Sequence, residues 1–461
     1  MTDDIAQGRN FPLYFYGQQF MGPLESYVLA PWVRILGSYY LTARLGNEIF
    51  YLIFLAGCFW VARKLFDQKF AVFILLLLAL PPFPILFFTT LVGYGEILPL
   101  AIGGLILVLK LSSATEGGWG KAFALGFISG LAMWCNALFV VWLIPIGIAF
   151  LSLTPFAWKR KLPWGFLMGF LAGLFPVWIY GLQTGTPMNV HTAGNRFTSL
   201  ENVPEHLYLF FARLKYFLTT SSYDPKSGLV RQVIACVSWF PLVCFAVSWA
   251  VLLFSSLKRR QTETNEKKIW QLFVLSPPVL LAALYISREL ALDEGLRYMI
   301  PVFPSFVFAT AWGIHRVRPA FLKQAVLISL GLILLGSSAV SLKAQAQIKT
   351  NYLKILEFLD RQGLHYGVGD LGVSYAVNAL SRGRILMSPH RQDARSGRLW
   401  KTVRENQPNF FVFERVGHRF RSRLESDPRV TWVPVGGRDV YYGPSKIFIE
   451  ILECRERLDL T

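Results

Sequence analysis

The chain has 461 residues, of which 54% are apolar, 15% are aromatic and only 16% are charged. An average soluble domain has about 25% charged residues, so this composition excludes an ordinary soluble protein and indicates a multi-pass membrane protein. The formal net charge of +18 predicts no nucleic-acid partner, because basic residues of membrane proteins collect at the cytoplasmic ends of helices. The cysteines form no CxxC pair, so the sequence predicts neither a disulfide framework nor a zinc site. They are Cys58, Cys135, Cys236, Cys244 and Cys454.

The first distinctive stretch is residues 11–30, FPLYFYGQQFMGPLESYVLA. Its prolines and glycines interrupt any continuous membrane span, and Gln18, Gln19 and Glu25 add polar groups. Tyr and Phe rings suit the boundary between water and lipid. We therefore predict that residues 1–39 form an interfacial segment on the outer face of a helix bundle.

About ten apolar runs follow, and several reach the roughly 17–25 residues that cross a bilayer. The predicted spans are 40–62, 70–88, 97–111, 121–136, 137–153, 164–181, 232–256, 269–286, 298–315 and 324–340. The run from 121 to 153 is too long for one span, so we predict two short helices that meet near Asn136. The predicted fold is an α-helical multi-pass membrane protein with a transmembrane bundle over 40–340.

Lys and Arg concentrate in every second connection of this bundle. The basic connections are 63–69, 110–121, 159–161, 258–268 and 316–323. The positive-inside rule places these connections in the cytoplasm. Residues 1–39, the loop 182–231 and the tail 341–461 are then expected on the outer side of the cell inner (plasma) membrane.

The tail from 341 to 461 differs from the bundle, because its apolar runs shorten to strand length. Strands are predicted at 365–369, 384–387, 409–413, 430–435, 440–442 and 446–452, with helices at 352–362 and 399–407. The tail is long enough for a core of its own. We predict a soluble, extracytoplasmic α/β domain.

Motifs of soluble enzymes, namely a Gly-rich phosphate loop, HExxH or GxSxG, do not occur in the sequence. Polar side chains instead collect at the predicted outer ends of the spans. They are Glu25, Tyr27, Glu96, His191, Asn195, Arg196, Asp293, Glu294, Arg297 and Tyr298. Ionisable groups beside lipid are costly unless they are used or paired. A carboxylate there can act as a general base or hold a divalent cation, Mg²⁺ or Mn²⁺, and an Arg can bind a lipid phosphate.

Each of these residues also has a plainer explanation. Glu96 could complement the dipole of the helix that it precedes. Glu25 could be a capping or solvated residue, and Arg297 could be a residue that reaches from a helix end to the interface. Asp293 and Glu294 could pair with a neighbouring arginine.

Four segments in order resemble motifs of bacterial GT-C glycosyltransferases of the protein-mannosyltransferase-like group (glycosyltransferase family 39-like). The segments are 11–37 with Ala43-Arg44-Leu45 after it, 130–136 (GLAMWCN), 169–180 (GFLAGLFPVWIY) and 297–304 (RYMIPVFP). The strands after residue 356 resemble the outer tail of the same group. The resemblance therefore extends over nearly the whole chain.

The resemblance implies an enzyme that takes a sugar from a polyprenyl-phosphate carrier and passes it to an extracytoplasmic acceptor. It implies catalytic or metal-binding acids in the first two outer segments and carrier contacts beside them. The candidate catalytic residues are Glu96 and Glu25, and the candidate substrate-binding residues are Tyr16, Gln18, Arg297 and Tyr298. The partners are then the lipid-linked sugar, the bilayer and the acceptor, with no nucleic acid.

One part of the family pattern has no counterpart in the chain. Residues 3–8 align with the stretch that follows the family's catalytic Asp-Glu pair, so the expected Asp falls upstream of Met1. We therefore expect that the recorded sequence lacks a first transmembrane helix. Without that helix, Asp3 or Asp4 would have to substitute, or the chain would be inactive.

The leading hypothesis is a hexosyl or pentosyl transferase that depends on a polyprenyl-phosphate sugar. A transporter or flippase of a lipid-linked sugar is the first alternative, although transporters tend to show repeated halves and charges at the membrane midplane. A degenerate, non-catalytic membrane scaffold is the second alternative.

Overall fold

The computed structural model describes most of the chain. The described residues are 1–16, 18, 21–37, 40–79, 81, 85, 94–112, 118–153, 161–185, 202–219, 239–258, 264–287, 297–389, 397–413, 424–436 and 438–450. They divide into two compact units, one of residues 1–18, 26–45 and 342–461 and one of residues 19–25 and 46–341. The predicted boundaries between outer segment, bundle and tail stay predictions.

Helices dominate the described residues. The helices are α1 Thr2–Ala6, α2 Leu24–Leu36, α3 Tyr40–Leu65, α4 Gln68–Ala79, α5 Ile97–Ser112, α6 Trp119–Cys135, α7 Val140–Leu153, α8 Leu162–Gly173, α9 Phe175–Thr184, α10 Val203–Thr219, α11 Trp239–Lys258, α12 Asn265–Ser287, α13 Phe303–Arg316, α14 Ala320–Arg361, α15 Leu371–Leu380 and α16 Gly397–Glu405. Two 3-10 turns, Ala137–Phe139 and Arg297–Val302, precede α7 and α13.

Each predicted span contains a helix, but fewer helices meet the requirements for crossing a membrane. Within the described residues, Trp239–Lys258 and Asn265–Leu284 are long and apolar enough. Leu162–Gly173 and Phe175–Thr184, bent by 50° from each other, count as a third span if they are taken together. The mostly helical fold is confirmed, whereas the number of about ten spans stays a prediction.

The predicted break near Asn136 is confirmed. Helix α6 ends at Cys135, and Asn136 adopts an extended conformation. Its side-chain Oδ1 accepts a hydrogen bond from the Leu138 backbone N–H at 3.0 Å, which starts the 3-10 turn before α7. A short polar side chain in this position is a typical helix N-cap, so the sequence itself sets the break.

Helices α6 and α8 pack through glycines on facing surfaces. A Cβ atom on Gly126 or Gly130 would meet the backbone carbonyl of Phe166 or Phe170 in α8. A Cβ on Gly169 would likewise meet the carbonyl of Phe123 in α6. Small residues four apart let membrane helices approach this closely. The close packing of α6 against α8 therefore fixes the position of the C-terminal end of α6 within the helical unit.

The sheet of the other unit contains β1 Tyr366–Gly369, β2 Leu386–Pro389, β3 Phe410–Phe413, β4 Thr431–Val435 and β5 Arg438–Tyr442. The strand order is β2-β1-β3-β5-β4. Strand β1 is parallel to β2 and β3, and β5 is antiparallel to β3 and β4. The predicted α/β character of the tail is therefore confirmed.

Alternating residues along the strands fill two cores, one on each face of the sheet. Phe410 and Val412 of β3 are buried against the end of α14 and against α15. Phe411 between them is buried on the opposite face with α16 and with Phe448. Helices thus cover both faces of the sheet.

One strand predicted in the tail was wrong. Residues 446–452 were expected to form a strand, but residues 445–450 are helical. The turn begins at Pro444, whose carbonyl accepts from the Ile447 N–H at 3.1 Å, and Ile447 and Phe448 are buried together on one face of the sheet. The predicted span 324–340 and the predicted helix 352–362 are both helical, and they belong to one continuous helix, α14, because neither Pro nor Gly interrupts residues 337–361.

Candidate functional site

A buried glutamate lies in the turn that leads into α5. Glu96 is fully buried, and it precedes the predicted span that starts at Ile97. Among the described residues, neither oxygen of its carboxyl group has a hydrogen-bond partner. Burial without hydrogen bonds costs several kcal/mol for a charged carboxylate, so such a group is kept neutral or is satisfied by a ligand.

A second acid lies close to Glu96. Glu25 is in the first turn of α2 and is only 6% exposed. Burial raises the pKa of Glu96 well above its ordinary value, and the charge of Glu25 raises this pKa further. Two neighbouring buried carboxyl groups of this kind tend to hold one proton between them. The pair can therefore accept a proton at a higher pH than an exposed glutamate can.

The segment before Glu25 is attached to the C-terminal end of α6. The Gly22 N–H donates to the carbonyls of Trp134 at 2.9 Å and Cys135 at 3.2 Å. These carbonyls are among the last of α6, which have no partner inside the helix. A Cβ on Gly22 would lie 2.5 Å from ring atoms of Trp134. Only glycine therefore fits between this ring and the backbone.

An arginine with two tyrosines lies at the turn before α13. The Arg297 guanidinium carbon is 5.1 Å from the centre of the Tyr298 ring and 6.0 Å from that of Tyr94. Its Nη2 also donates to Tyr298 Oη at 3.3 Å. Tyr94 is two residues before Glu96, so the arginine and the buried acids belong to the same region of the helical unit. The turn Arg297–Val302 also contacts the turn Ala137–Phe139 that follows α6.

The structure thus associates four of the six predicted site residues, namely Glu25, Glu96, Arg297 and Tyr298, within the helical unit. This region offers a proton acceptor and a planar cation that matches the oxygens of a phosphate. It also offers two carboxylates for a divalent cation. Among the described residues, however, no group of three or more His, Cys, Asp or Glu could hold a metal ion.

The two other predicted residues, Tyr16 and Gln18, belong to the other unit. Tyr16 Oη donates to Asp4 Oδ2 at 3.1 Å and accepts from Asn10 Nδ2 at 3.0 Å. The Gln18 N–H donates to the Phe15 carbonyl at 2.9 Å. Their role in carrier binding stays a prediction.

Asp3 and Asp4, the possible substitutes for the catalytic acid, both form ion pairs with Arg9. The N–O distances are 2.8 Å to Asp3 and 3.0 Å to Asp4. These pairs satisfy both carboxylates locally. The candidate residues His191, Asn195, Arg196, Asp293 and Glu294 lie outside the described residues.

Sequence reasoning missed Gly22, Tyr94 and Trp134 as parts of this region. The sequence could have indicated Tyr94, because it lies two residues before the candidate acid Glu96. No sequence pattern predicts the contact between Gly22 and Trp134, because it joins two segments that are far apart in the chain.

Comparison with solved structures identifies the fold. A crystal structure of ArnT from Cupriavidus metallidurans bound to undecaprenyl phosphate has a TM-score of 0.62 with this chain. The two are 11% identical, and the match covers 97% of this chain and 92% of that one. The chain has a GT-C type fold.

A second solved structure shows weaker similarity. The oligosaccharyltransferase of Archaeoglobus fulgidus in complex with zinc and sulfate has a TM-score of 0.45 and 11% identity, over 89% of this chain and 62% of that one. No model of a protein family matches the sequence, and no curated protein matches it.

Proposed function

We propose that the protein is an inverting glycosyltransferase that moves a sugar from a polyprenyl-phosphate carrier to an extracytoplasmic acceptor. The observation that carries this proposal is the buried Glu25–Glu96 pair, near Arg297, in a chain with a GT-C type fold. The ArnT structure with this fold has undecaprenyl phosphate bound. We place the protein in the plasma membrane, with its C-terminal α/β domain on the outer side.

The first half of the reaction activates the acceptor. Glu96, ionised before the step, takes the proton from an acceptor hydroxyl as that oxygen attacks the anomeric carbon of the sugar. A carboxylate whose pKa lies nearer to neutral pH is a stronger base than an exposed one, and general-base catalysis typically contributes about 10²–10⁴-fold. Glu25 keeps the pKa of Glu96 raised through its neighbouring charge.

The second half of the reaction releases the carrier. The bond between the anomeric carbon and the phosphate oxygen breaks, and its electron pair leaves with the polyprenyl phosphate. A phosphate leaving group needs stabilisation of its charge rather than protonation. Arg297 supplies this through its planar donors, and its stacking with Tyr94 and Tyr298 holds the guanidinium in place.

A divalent cation is compatible with this arrangement. Glu25 and Glu96 would hold it, because Mg²⁺ is commonly bound by one or two carboxylates together with substrate phosphates. A bound cation would neutralise charge on the leaving phosphate. Chelation by EDTA, followed by assay with and without added Mg²⁺ or Mn²⁺, distinguishes the two cases.

The experiment uses purified full-length protein and measures free polyprenyl phosphate released from radiolabelled polyprenyl-phosphate hexoses and pentoses. Cell-envelope extract supplies the acceptor, and binding of undecaprenyl phosphate is measured separately. We expect Glu96→Gln to abolish release while carrier binding stays unchanged, and Arg297→Gln to weaken both. Glu205→Gln is the matched control, because Glu205 is an exposed glutamate on α10. If both site variants released polyprenyl phosphate as fast as the parent protein, Glu96 and Arg297 would not form the active site.

A further inference from the structure

A cavity of about 680 Å³ lies among α7, α11 and α12. It is separate from the residues that the proposed reaction uses. Helices α11 and α12 contain the two spans that, within the described residues, are individually long and apolar enough to cross a membrane. The cavity therefore lies in the part of the protein that borders lipid. Its walls are mainly aliphatic, with Ile144, Ile148, Leu253, Leu272, Leu275 and Leu280 among the lining residues.

One end of the cavity is polar and positively charged. The lining there includes Ser152 near the end of α7, Ser256 near the end of α11, and Asn265 and Lys268 at the start of α12. Lys268 is the one charged side chain among the described lining residues.

The charges around this end favour an anion. Glu266, the nearest acid in the sequence, forms an ion pair with Lys64 at 2.9 Å, so its charge is already compensated. Lys267 is adjacent to Lys268 in the sequence, and Lys258 is the last residue of α11, two residues after Ser256, so both add positive charge. The polar end thus carries a net positive charge where a lipid headgroup would lie.

The length of the cavity suits a lipid chain. Lys268 and Leu280 both line it and lie twelve residues apart on one helix, which corresponds to about 18 Å at 1.5 Å per residue. Trp249 lines the cavity between the two ends. Its ring therefore lies beside the predicted path of the acyl chain.

We propose that this cavity binds one anionic glycerophospholipid, with an acyl chain between α7, α11 and α12 and the headgroup phosphate at Lys268. We assign this ligand because the cavity is apolar along most of its length and cationic at one end. A zwitterionic lipid would fill the same apolar volume, but the one positive charge of its headgroup would lie near Lys268, Lys267 and Lys258.

The test measures lipid binding to purified full-length protein by native mass spectrometry, with phosphatidylglycerol and phosphatidylcholine of identical chains. We expect tighter binding of phosphatidylglycerol. Lys268→Gln should weaken this binding about fivefold, the typical contribution of one Lys near an anionic headgroup. Lys267→Gln is the matched control, because Lys267 is exposed and does not line the cavity, and it should have the smaller effect.

A second measurement locates the chain. Phosphatidylglycerol with brominated acyl chains should quench tryptophan fluorescence in the parent protein, and Trp249→Phe should remove part of that quenching. Equal binding of both lipids with no effect of Lys268→Gln would overturn the proposal, as would quenching that is unchanged in Trp249→Phe. Neither readout depends on sugar transfer, so the outcome is independent of the proposed reaction.

Discussion

The carboxyl groups of Glu25 and Glu96 lie close enough together in the helical unit for the charge of Glu25 to raise the pKa of Glu96. Both side chains are buried, Glu25 at 6% exposure and Glu96 at 0%. Such a pair lowers the stability of the folded state whenever both members are ionised. A buried pair of this kind therefore lowers the stability of the fold, which is typical of functional sites that accept protons.

The first prediction concerns stability and pH. Because the folded-state pKa of Glu96 is raised above its ordinary value of 4.5, the folded state binds more protons than the unfolded state above pH 4.5. The free energy of unfolding therefore falls as pH rises from 4.5 toward the raised pKa, by up to about 1.4 kcal/mol per pH unit. Glu96→Gln removes this dependence, so the melting temperature of the variant should exceed that of the parent by an amount that grows with pH.

Thermal unfolding in detergent at a series of pH values from 5 to 9 measures this difference. Glu205→Gln serves as the control, because Glu205 is exposed, and it should give a nearly constant difference. A melting temperature that is lower in Glu96→Gln at every pH would contradict a buried, uncompensated carboxyl group.

The second prediction concerns the pH dependence of sugar transfer. If Glu96 is the general base, activity rises with pH as Glu96 ionises. Glu25→Gln removes a neighbouring negative charge, so the pKa of Glu96 falls and the acidic limb of the profile moves to lower pH. Release of polyprenyl phosphate across the pH range measures the shift, and a limb displaced to higher pH would exclude this role for Glu25.

The third prediction concerns the arginine. Tyr298→Phe keeps the ring beside the Arg297 guanidinium but removes the hydroxyl that accepts from Nη2. One hydrogen bond is worth about 0.5–1.5 kcal/mol, so carrier affinity should fall about two- to tenfold. Tyr298→Leu also removes the ring and should weaken binding more. Titration with undecaprenyl phosphate measures both variants, and equal affinities in all three proteins would exclude a role for Tyr298 in positioning Arg297.

Much of this arrangement can be predicted from local sequence. Hydropathy located the helices of the predicted spans but not α10, which lies within the predicted outer loop 182–231. Asn136 marked the break between α6 and α7, and the isolated charges at helix ends singled out Glu25, Glu96 and Arg297. The stacking of Arg297 on Tyr94 and the fit of Gly22 against Trp134 could not be predicted, because they depend on which distant segments meet. The helix at 445–450 was missed for a related reason, since its apolar run is short enough to fit either a strand or a helix.

The fourth prediction concerns the glycine contact between α6 and α8. A methyl group at Gly169 would meet the carbonyl of Phe123, which is backbone and cannot rotate away. Gly169→Ala should therefore lower the free energy of unfolding by about 1–3 kcal/mol. Gly147→Ala, in α7, is the matched control, because a Cβ there has nothing within 4 Å. The yield and melting temperature of the purified proteins test this, and equal values would argue against close helix packing.

The fifth prediction concerns which side of the membrane the α/β domain occupies, which the proposed reaction requires to be outside. The positive-inside rule places the connection that contains Lys267 in the cytoplasm. Lys401, on α16, has a side chain that is 75% exposed. In intact cells, a membrane-impermeant maleimide should modify Lys401→Cys, whereas Lys267→Cys should react only after lysis. The parent chain corrects for the native cysteines, of which Cys58 and Cys135 are buried. Labelling of Lys401→Cys only after lysis would place the domain in the cytoplasm and exclude transfer to an extracytoplasmic acceptor bound there.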